Sequence, residues 1–195
     1  TTPKKPGRTK ILIGLVISLI IIVPAACFLI QKISNSKEKS IAVIPFINDS
    51  RDSTNVYFIN GVTETITDKL AQINDLKVTS RNSTERYRNN KTKSTPRIAR
   101  ELGVRYILEG SGQKIGDSVL VSVQLIDARK DVHIISHQYT GKYEDIFNLY
   151  SEIALDVVSK VQAKITPEEK QKIKKPSPEK LDVMRMLIQG NEMLN

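Results

Sequence analysis

The sequence predicts an α/β domain built on a five-stranded mixed sheet, order 2-1-3-4-5 with the fourth strand antiparallel, with helices on its faces and one transmembrane helix before it. Three observations carry that expectation. Short apolar runs alternate with stretches of helical period in the order strand, helix, strand, helix, strand, and two hairpins follow. Right-handed crossovers in the two strand–helix–strand links place the first three strands parallel, in order 2-1-3. Ahead of them, Ile11 to Ile30 is a run of twenty residues without a charge. As a helix it is about 30 Å long, the thickness of a bilayer's hydrocarbon core.

Residues 1–10 form a basic flank carrying Lys4, Lys5, Arg8 and Lys10. Only a helix satisfies its own backbone in lipid, and the run 11–30 has no polar face for water, so a membrane span is expected there. Basic residues before it slightly outweigh those after it, which favours a cytoplasmic amino terminus. The rival is a cleaved signal, because Pro24-Ala25-Ala26-Cys27 faintly resembles a lipoprotein cleavage site. Against it, Pro24 stands where Leu is usual, and Phe28-Leu29-Ile30 continues the apolar run beyond the cysteine. Either way, the domain after residue 40 is expected outside the cytoplasm. The chain opens Thr-Thr-Pro without Met and is expected to have a cytoplasmic part upstream.

Residues 31–39 are a polar linker, and the domain spans 40–165. Ile41 to Phe46 is an apolar run typical of a doubly buried strand, with Pro45 expected to stop its ladder. Phe58, Val62, Ile66, Leu70 and Ile73 recur at helical spacing, and Leu76 to Thr79 is the second strand. Thr95-Pro96 is expected as N-cap and first helical residue, with Gly103 as the stop. Val104 to Gly110 is the third strand. Gly116-Asp117 turns into Val119, Val121, Val123 and Leu125, which alternate with polar residues, and Val132 to Tyr139 is the fifth strand. Ile146, Leu149, Ile153, Val157, Val161 and Ile165 line the closing helix. Thr166-Pro167-Glu168-Glu169 has capping-box spacing and begins a helical, lysine-rich hinge over 166–180. Residues 181–195 are a further helical stretch expected to pack on something beyond it.

The 195 residues carry 30 Lys+Arg against 21 Asp+Glu, a net charge of +9. That excess is local. Residues 1–40 hold seven basic and one acidic side chain, and residues 77–105 hold nine basic and two acidic. The rest of the chain is slightly acidic. One cysteine excludes an internal disulfide framework and a Cys-built zinc site. No Ser/His/Asp or Cys/His constellation can be assembled, so no catalytic, cofactor-binding or metal residues are expected.

Two weaker motifs are set aside. Gly110-Ser111-Gly112…Gly116 has the wrong spacing for a dinucleotide fingerprint and is assigned to the strand-to-hairpin transition. His133 and His137, four apart on one strand, are expected on one face about 13 Å apart, with no further ligands beside them.

Two candidate surfaces remain. The loop after the first strand lies where strand order reverses, the crevice ligands favour in open α/β sheets. Asn48, Asp49, Asp52 and Glu64 are its candidate partner or ligand residues, set against the blander assignment of a solvated turn. The second is Arg81, Arg86, Arg88, Lys91, Lys93, Arg97 and Arg100, a nucleic-acid-like surface by composition alone. Outside the cytoplasm, acidic proteins or headgroups suit it better, and a solvated face suits it best.

Ser40-Ile-Ala-Val-Ile-Pro-Phe46, Tyr57-Phe-Ile-Asn-Gly-Val-Thr-Glu64, Val78-Thr-Ser-Arg81, Ile98-Ala-Arg-Glu-Leu-Gly-Val-Arg-Tyr-Ile-Leu-Glu-Gly-Ser111, Val121 to Ala128 and Tyr143 to Phe147 together resemble the TolB-like amino-terminal domain. Ile135 stands where such domains often carry Trp. The resemblance implies a five-stranded mixed α/β fold similar to the anticodon-binding domain of some tRNA synthetases, without implying tRNA binding. It also implies a single membrane helix before the domain, tetratricopeptide repeats after it, with 181–195 as the start of one, and a cytoplasmic output domain upstream. The function expected is a non-catalytic periplasmic sensory or protein-interaction module of a single-pass bacterial inner-membrane signalling protein, with protein partners and no cofactor. The alternative is a lipid-anchored or soluble envelope-assembly component resembling TolB. Nucleic-acid binding through 81–105 ranks below both.

Overall fold

The computed structural model describes residues 39–50, 52 and 55–175. The transmembrane helix or signal and the tetratricopeptide start fall outside these residues. Among the described residues, no helix is long and apolar enough to cross a membrane.

The elements are β1 (Ser40–Val43), β2 (Ile47–Asn48), α1 (Asn55–Ala71), β3 (Lys77–Val78), α2 (Arg81–Glu85), α3 (Thr95–Leu102), β4 (Tyr106–Ile115), β5 (Ser118–Asp127), β6 (Val132–Lys142), a 3₁₀ turn (Tyr143–Asp145), α4 (Ile146–Lys160) and α5 (Pro167–Lys174). The strand order is β3-β1-β4-β5-β6, with β5 antiparallel to both neighbours and β1 parallel to β3 and β4. This is the expected 2-1-3-4-5 order.

There is one addition. The first strand does not end for good at Pro45. Proline lacks the N–H the ladder needs, so pairing lapses at residues 44–46 and resumes as β2, parallel to Ser111 and Gly112. The lapse is bridged by Ile44 N–H to Leu108 carbonyl (2.8 Å) and Phe46 N–H to the Thr63 hydroxyl (3.0 Å). The sheet thus has six strands.

The faces of this sheet differ. One is covered by α1, α4 and α5 through a large core that includes Ile41, Val43, Phe46, Leu108, Val121, Val123 and Leu125 from the sheet side. Ile66, Leu70, Ile153 and Val157 meet them from the helices. The other face holds a small cluster of Ala42, Ile44, Tyr87, Ile98, Ala99, Ile107 and Ala128.

Gly110 and Gly112 lie inside β4, which runs on to Ile115, so the expected strand end at Gly110 is corrected. Their reason is contact, not turning. A Cβ on Gly110 would come within 2.2 Å of the Ser122 carbonyl oxygen and 2.6 Å of the Phe46 ring. On Gly112 it would meet Ile59 and the Leu120 carbonyl, each at 2.9 Å. A strand glycine marks such an approach. The turn falls to Gly116, at φ 56°, in the two-residue loop between Ile115 and Ser118.

Two local expectations also shift. The N-cap of α3 is Ser94, one residue before Thr95, while Gly103 ends the helix at φ 67° as expected. His133 and His137 are on opposite faces. A bulge between Leu125 and Ile126 lets His133 pair with Ile126 while His137 pairs with Val123, and an extra residue reverses the period-two alternation. Among the described residues no group of three or more His, Cys, Asp or Glu is placed to hold a metal.

Candidate functional site

A cavity of about 330 Å³ opens at the carboxyl end of β1, on the sparsely covered face of the sheet. Such a volume is in the lower part of the range for small-molecule pockets, ~300–1,000 Å³. Ile44, Pro45 and Ile98 form its apolar wall. Glu109 and Ser111 of β4 and Ser122 and Gln124 of β5 form its polar floor, and Asp49, Asn89 and Asn90 stand at its rim.

The sheet explains the floor. Residues 109, 111, 122 and 124 alternate with the buried Leu108, Val121, Val123 and Leu125, so they must point to the opposite side. The polar residues of β4 and β5 suit the half-open face.

Of the four loop candidates, Asp49 lines the cavity, and its N–H donates to the Gly112 carbonyl at 3.1 Å. Asn48 serves the loop itself. Its Oδ1 accepts from the Ser50 N–H (3.0 Å) and hydroxyl (2.9 Å), and its Nδ2 donates to the Asp52 carbonyl at 3.0 Å. Asp52 also takes the Asn55 N–H on its carbonyl at 3.2 Å, fixing the entry to α1. Glu64 does not line the cavity. Its Oε2 accepts from Arg81 at 3.2 Å, where α1 meets the start of α2.

The basic candidates form a less basic surface than their count suggests. Arg81 pairs with Glu64 (3.2 Å), Arg88 with Glu85, Lys93 with Glu101 (2.7 Å), and Arg97 with Glu101 (3.2 Å). Arg86 lies over the Tyr87 ring, 4.9 Å from its centroid, and Arg100 donates to the Pro96 carbonyl. Lys91 is exposed. Three carboxylates therefore neutralise four of the seven cations at close range.

Sequence reasoning missed the centre of this region. Tyr87 lies in sequence between Arg86 and Arg88, yet it is 2% exposed and fills the small core. Its hydroxyl donates to Glu101 at 2.7 Å. Burial first, and that hydrogen bond second, push its pKa up. Glu101 collects Lys93, Tyr87 and Arg97, and those hydrogen bonds, that of Lys93 foremost, hold its carboxyl at about 2. Asn89, at φ 54°, bends the loop after Tyr87, and the Asn90 side chain clasps Lys93 through its N–H (3.1 Å) and carbonyl (2.7 Å). This packed loop forms one wall of the cavity.

Glu109 was also passed over, being read as a residue of the third strand. It is half-buried and burial pushes its pKa up, with His133 the basic group opposing that. The available signal was its place in Leu108-Glu109-Gly110, a carboxylate inside an apolar strand.

The family described as "HilA/YgeH-like transcriptional regulator, second domain" matches residues 36–156. A curated relative, putative adenylate cyclase 3 of Rhizobium meliloti (strain 1021), is 36% identical over 148 residues, which is 74% of this chain. The match spans only 25% of that relative's length. Among solved structures, TolB from Acinetobacter baumannii superposes with a TM-score of 0.50 at 18% identity, covering 63% of this chain and 28% of that one. The LpoB C-terminal domain from Escherichia coli gives a TM-score of 0.42 at 18% identity, over 54% of this chain and 83% of that one. The likeness to TolB is one of fold.

Proposed function

We propose, from the premise that this chain belongs to the HilA/YgeH-like transcriptional regulator second-domain family, that residues 40–165 are a non-catalytic sensory and protein-interaction module. It couples what it binds to an output domain elsewhere in its polypeptide. One observation carries this. The same module occurs as the second domain of a regulator family and as about a quarter of a putative adenylate cyclase. Outputs that differ over a shared module point to the module as the input.

The cavity at the strand-order reversal and the partly neutralised charged rim beside it suit recognition rather than catalysis. The uncharged run 11–30 supports a single-pass inner-membrane placement with the domain in the periplasm, and 181–195 fits the start of a tetratricopeptide region. A phosphatase or galactosidase reporter fused after Ile165 tests the placement. Phosphatase activity is expected, and galactosidase activity there would sink the periplasmic assignment.

A second reading, a lipid-anchored or soluble envelope component, draws on the shared TolB fold. Its test is separate: Cys27 must be found as a lipidated amino terminus. Nucleic-acid binding through 81–105 is the weakest reading, since five of its eight cations are already engaged with carboxylates. It requires binding that weakens steeply with salt.

A further inference from the structure

Glu109 stands apart from the other carboxylates of its face. Glu85 and Glu101 each hold a basic partner, and Asp49 at the cavity rim is exposed to solvent. Glu109 makes no hydrogen bond and no ion pair among the described residues, although it is drawn into the sheet far enough for burial to raise its pKa. A half-buried carboxylate without a partner costs stability. Such groups are kept where something else supplies the compensation.

We propose that the cavity around Glu109 binds a small organic cation, a protonated amine, amidinium or guanidinium on a short apolar body, with Glu109 as its counter-ion. The proposal rests on the sensory reading above and adds the class of ligand. The charges that line the cavity are both acidic, Glu109 on the floor and Asp49 at the rim. Of the basic residues on the neighbouring loop and helix, Lys93 and Arg97 pair with Glu101 and Arg88 with Glu85. His133, from β6, is the basic group that faces Glu109 without bonding to it. Ser122 and Gln124 supply acceptors for the remaining N–H groups of a cation, and Ile44, Pro45 and Ile98 supply a surface for its apolar body. An anion would meet two carboxylates at this site. A neutral apolar ligand would leave Glu109 desolvated and unpaired.

The cationic group can belong to a free small molecule or to a basic side chain of a partner protein, and the test separates these. The 195-residue chain held in detergent is titrated with benzylamine and benzamidine, and with their neutral counterparts benzyl alcohol and benzamide. An arginine-containing tetrapeptide is the third probe, and amide chemical shifts are the readout. The cations should bind saturably, shift the Glu109, Ser122 and Gln124 amides, and exceed the neutral compounds by about tenfold, as a charge-assisted hydrogen bond implies. Glu109→Gln should lower cation affinity by about tenfold while keeping the fold, and Glu152→Gln, an exposed carboxylate of α4, should leave it unchanged.

Cations that bind no better than the neutral compounds would overturn the proposal, as would undiminished binding to Glu109→Gln. Tetrapeptide binding at the same amides, tighter than benzamidine, assigns the cation to a protein partner. Binding of the small cations alone assigns it to a free ligand. The two readings also fail separately. If no cation binds but deleting residues 40–165 from the parent protein still abolishes regulated output, the ligand class is wrong and the sensory module stands. If Glu109→Gln abolishes binding and the domain deletion leaves regulation untouched, the site stands and the sensory reading falls.

Discussion

The two faces of one sheet are packed to different densities, and the proposed binding site lies on the looser one. On the α1/α4 face, Leu108, Val121, Leu125, Ile66, Leu70, Ile153 and Val157 are fully buried, and glycines at 110 and 112 let Phe46 and Ile59 close onto the strand. On the other face a cluster of seven residues is anchored by one tyrosine, and the rest of the surface is left polar and open around a cavity. Close packing fixes a single arrangement. An incompletely covered, hydrogen-bonding face with an uncompensated carboxylate keeps a surface ready for something else. The first face holds most of the core and the second leaves the cavity open.

The most direct way to break that comparison is to remove equal volumes from both sides. Leu108→Ala should cost about 3–5 kcal/mol, near the top of the range for large-to-small core changes, because helices and strands enclose it. Ile98→Ala should cost nearer ~2 kcal/mol, because its cluster borders the cavity and can relax toward it. Urea unfolding of both variants decides the matter. Equal losses would mean that the second face is as tightly built as the first.

Adding one methyl sharpens the same point. Gly110→Ala should destabilise by about 2–3 kcal/mol, since its Cβ would strike the backbone oxygen of Ser122 as well as the Phe46 ring. Ser122→Ala, on the open side of the neighbouring strand, should fall within about 0.5 kcal/mol of the parent. Thermal melts of the pair give the ordering.

The closing turn offers a smaller effect at the edge of the packed face. Thr166 accepts the Glu169 N–H at 3.2 Å while Glu169 accepts the Thr166 N–H at 2.8 Å and the Asn74 N–H at 2.9 Å. The carbonyl of Ile173 at the far end of α5 takes the Ser151 hydroxyl at 2.9 Å and the buried Lys69 ammonium. Thr166→Ala should therefore cost about 1 kcal/mol, the usual value for a lost N-cap, and should speed hydrogen exchange in α5 before α4.

The packed face was legible in the sequence and the open one was not, for a physical reason. Burial on both sides of β1 and on one side of β5 leaves periodic signatures, as do the helical spacing of Val62, Ile66 and Leu70, the capping box at Thr166 and the stop at Gly103. Those signals recovered the strand order. The resumption of pairing at Ile47, the extra residue in β6 and the place of Gly110 within β4 all depend on a neighbouring strand or helix, so no local pattern announces them. At the candidate site the position of the loop beside the cavity was legible from topology, and Asp49 lies at the cavity rim. Glu64 was misplaced because a helix residue's neighbour across to α2 cannot be read from its own spacing. Tyr87 and Glu109 were missed because burial of a lone aromatic or a lone carboxylate is a tertiary fact.

Acid titration distinguishes the two glutamates of the open face with the smallest effects. Glu101 is held at about 2, below the ordinary 4.5, by Lys93 and then Tyr87. A depressed carboxylate contributes stability that is complete above the unfolded value and is lost as pH falls from 4.5 through about 2. Glu109 is shifted the other way, by burial. Its folded form holds its proton more tightly than the unfolded chain does, so its contribution improves as pH falls from the raised value through 4.5 and declines as pH rises across the same window. Glu101→Gln should flatten the acid limb of a stability–pH curve, and Glu109→Gln should raise stability at neutral pH and remove a decline at weakly acidic pH. If both substitutions instead act in the same direction, Glu109 has a partner in solution, and the open face is better compensated than its geometry shows.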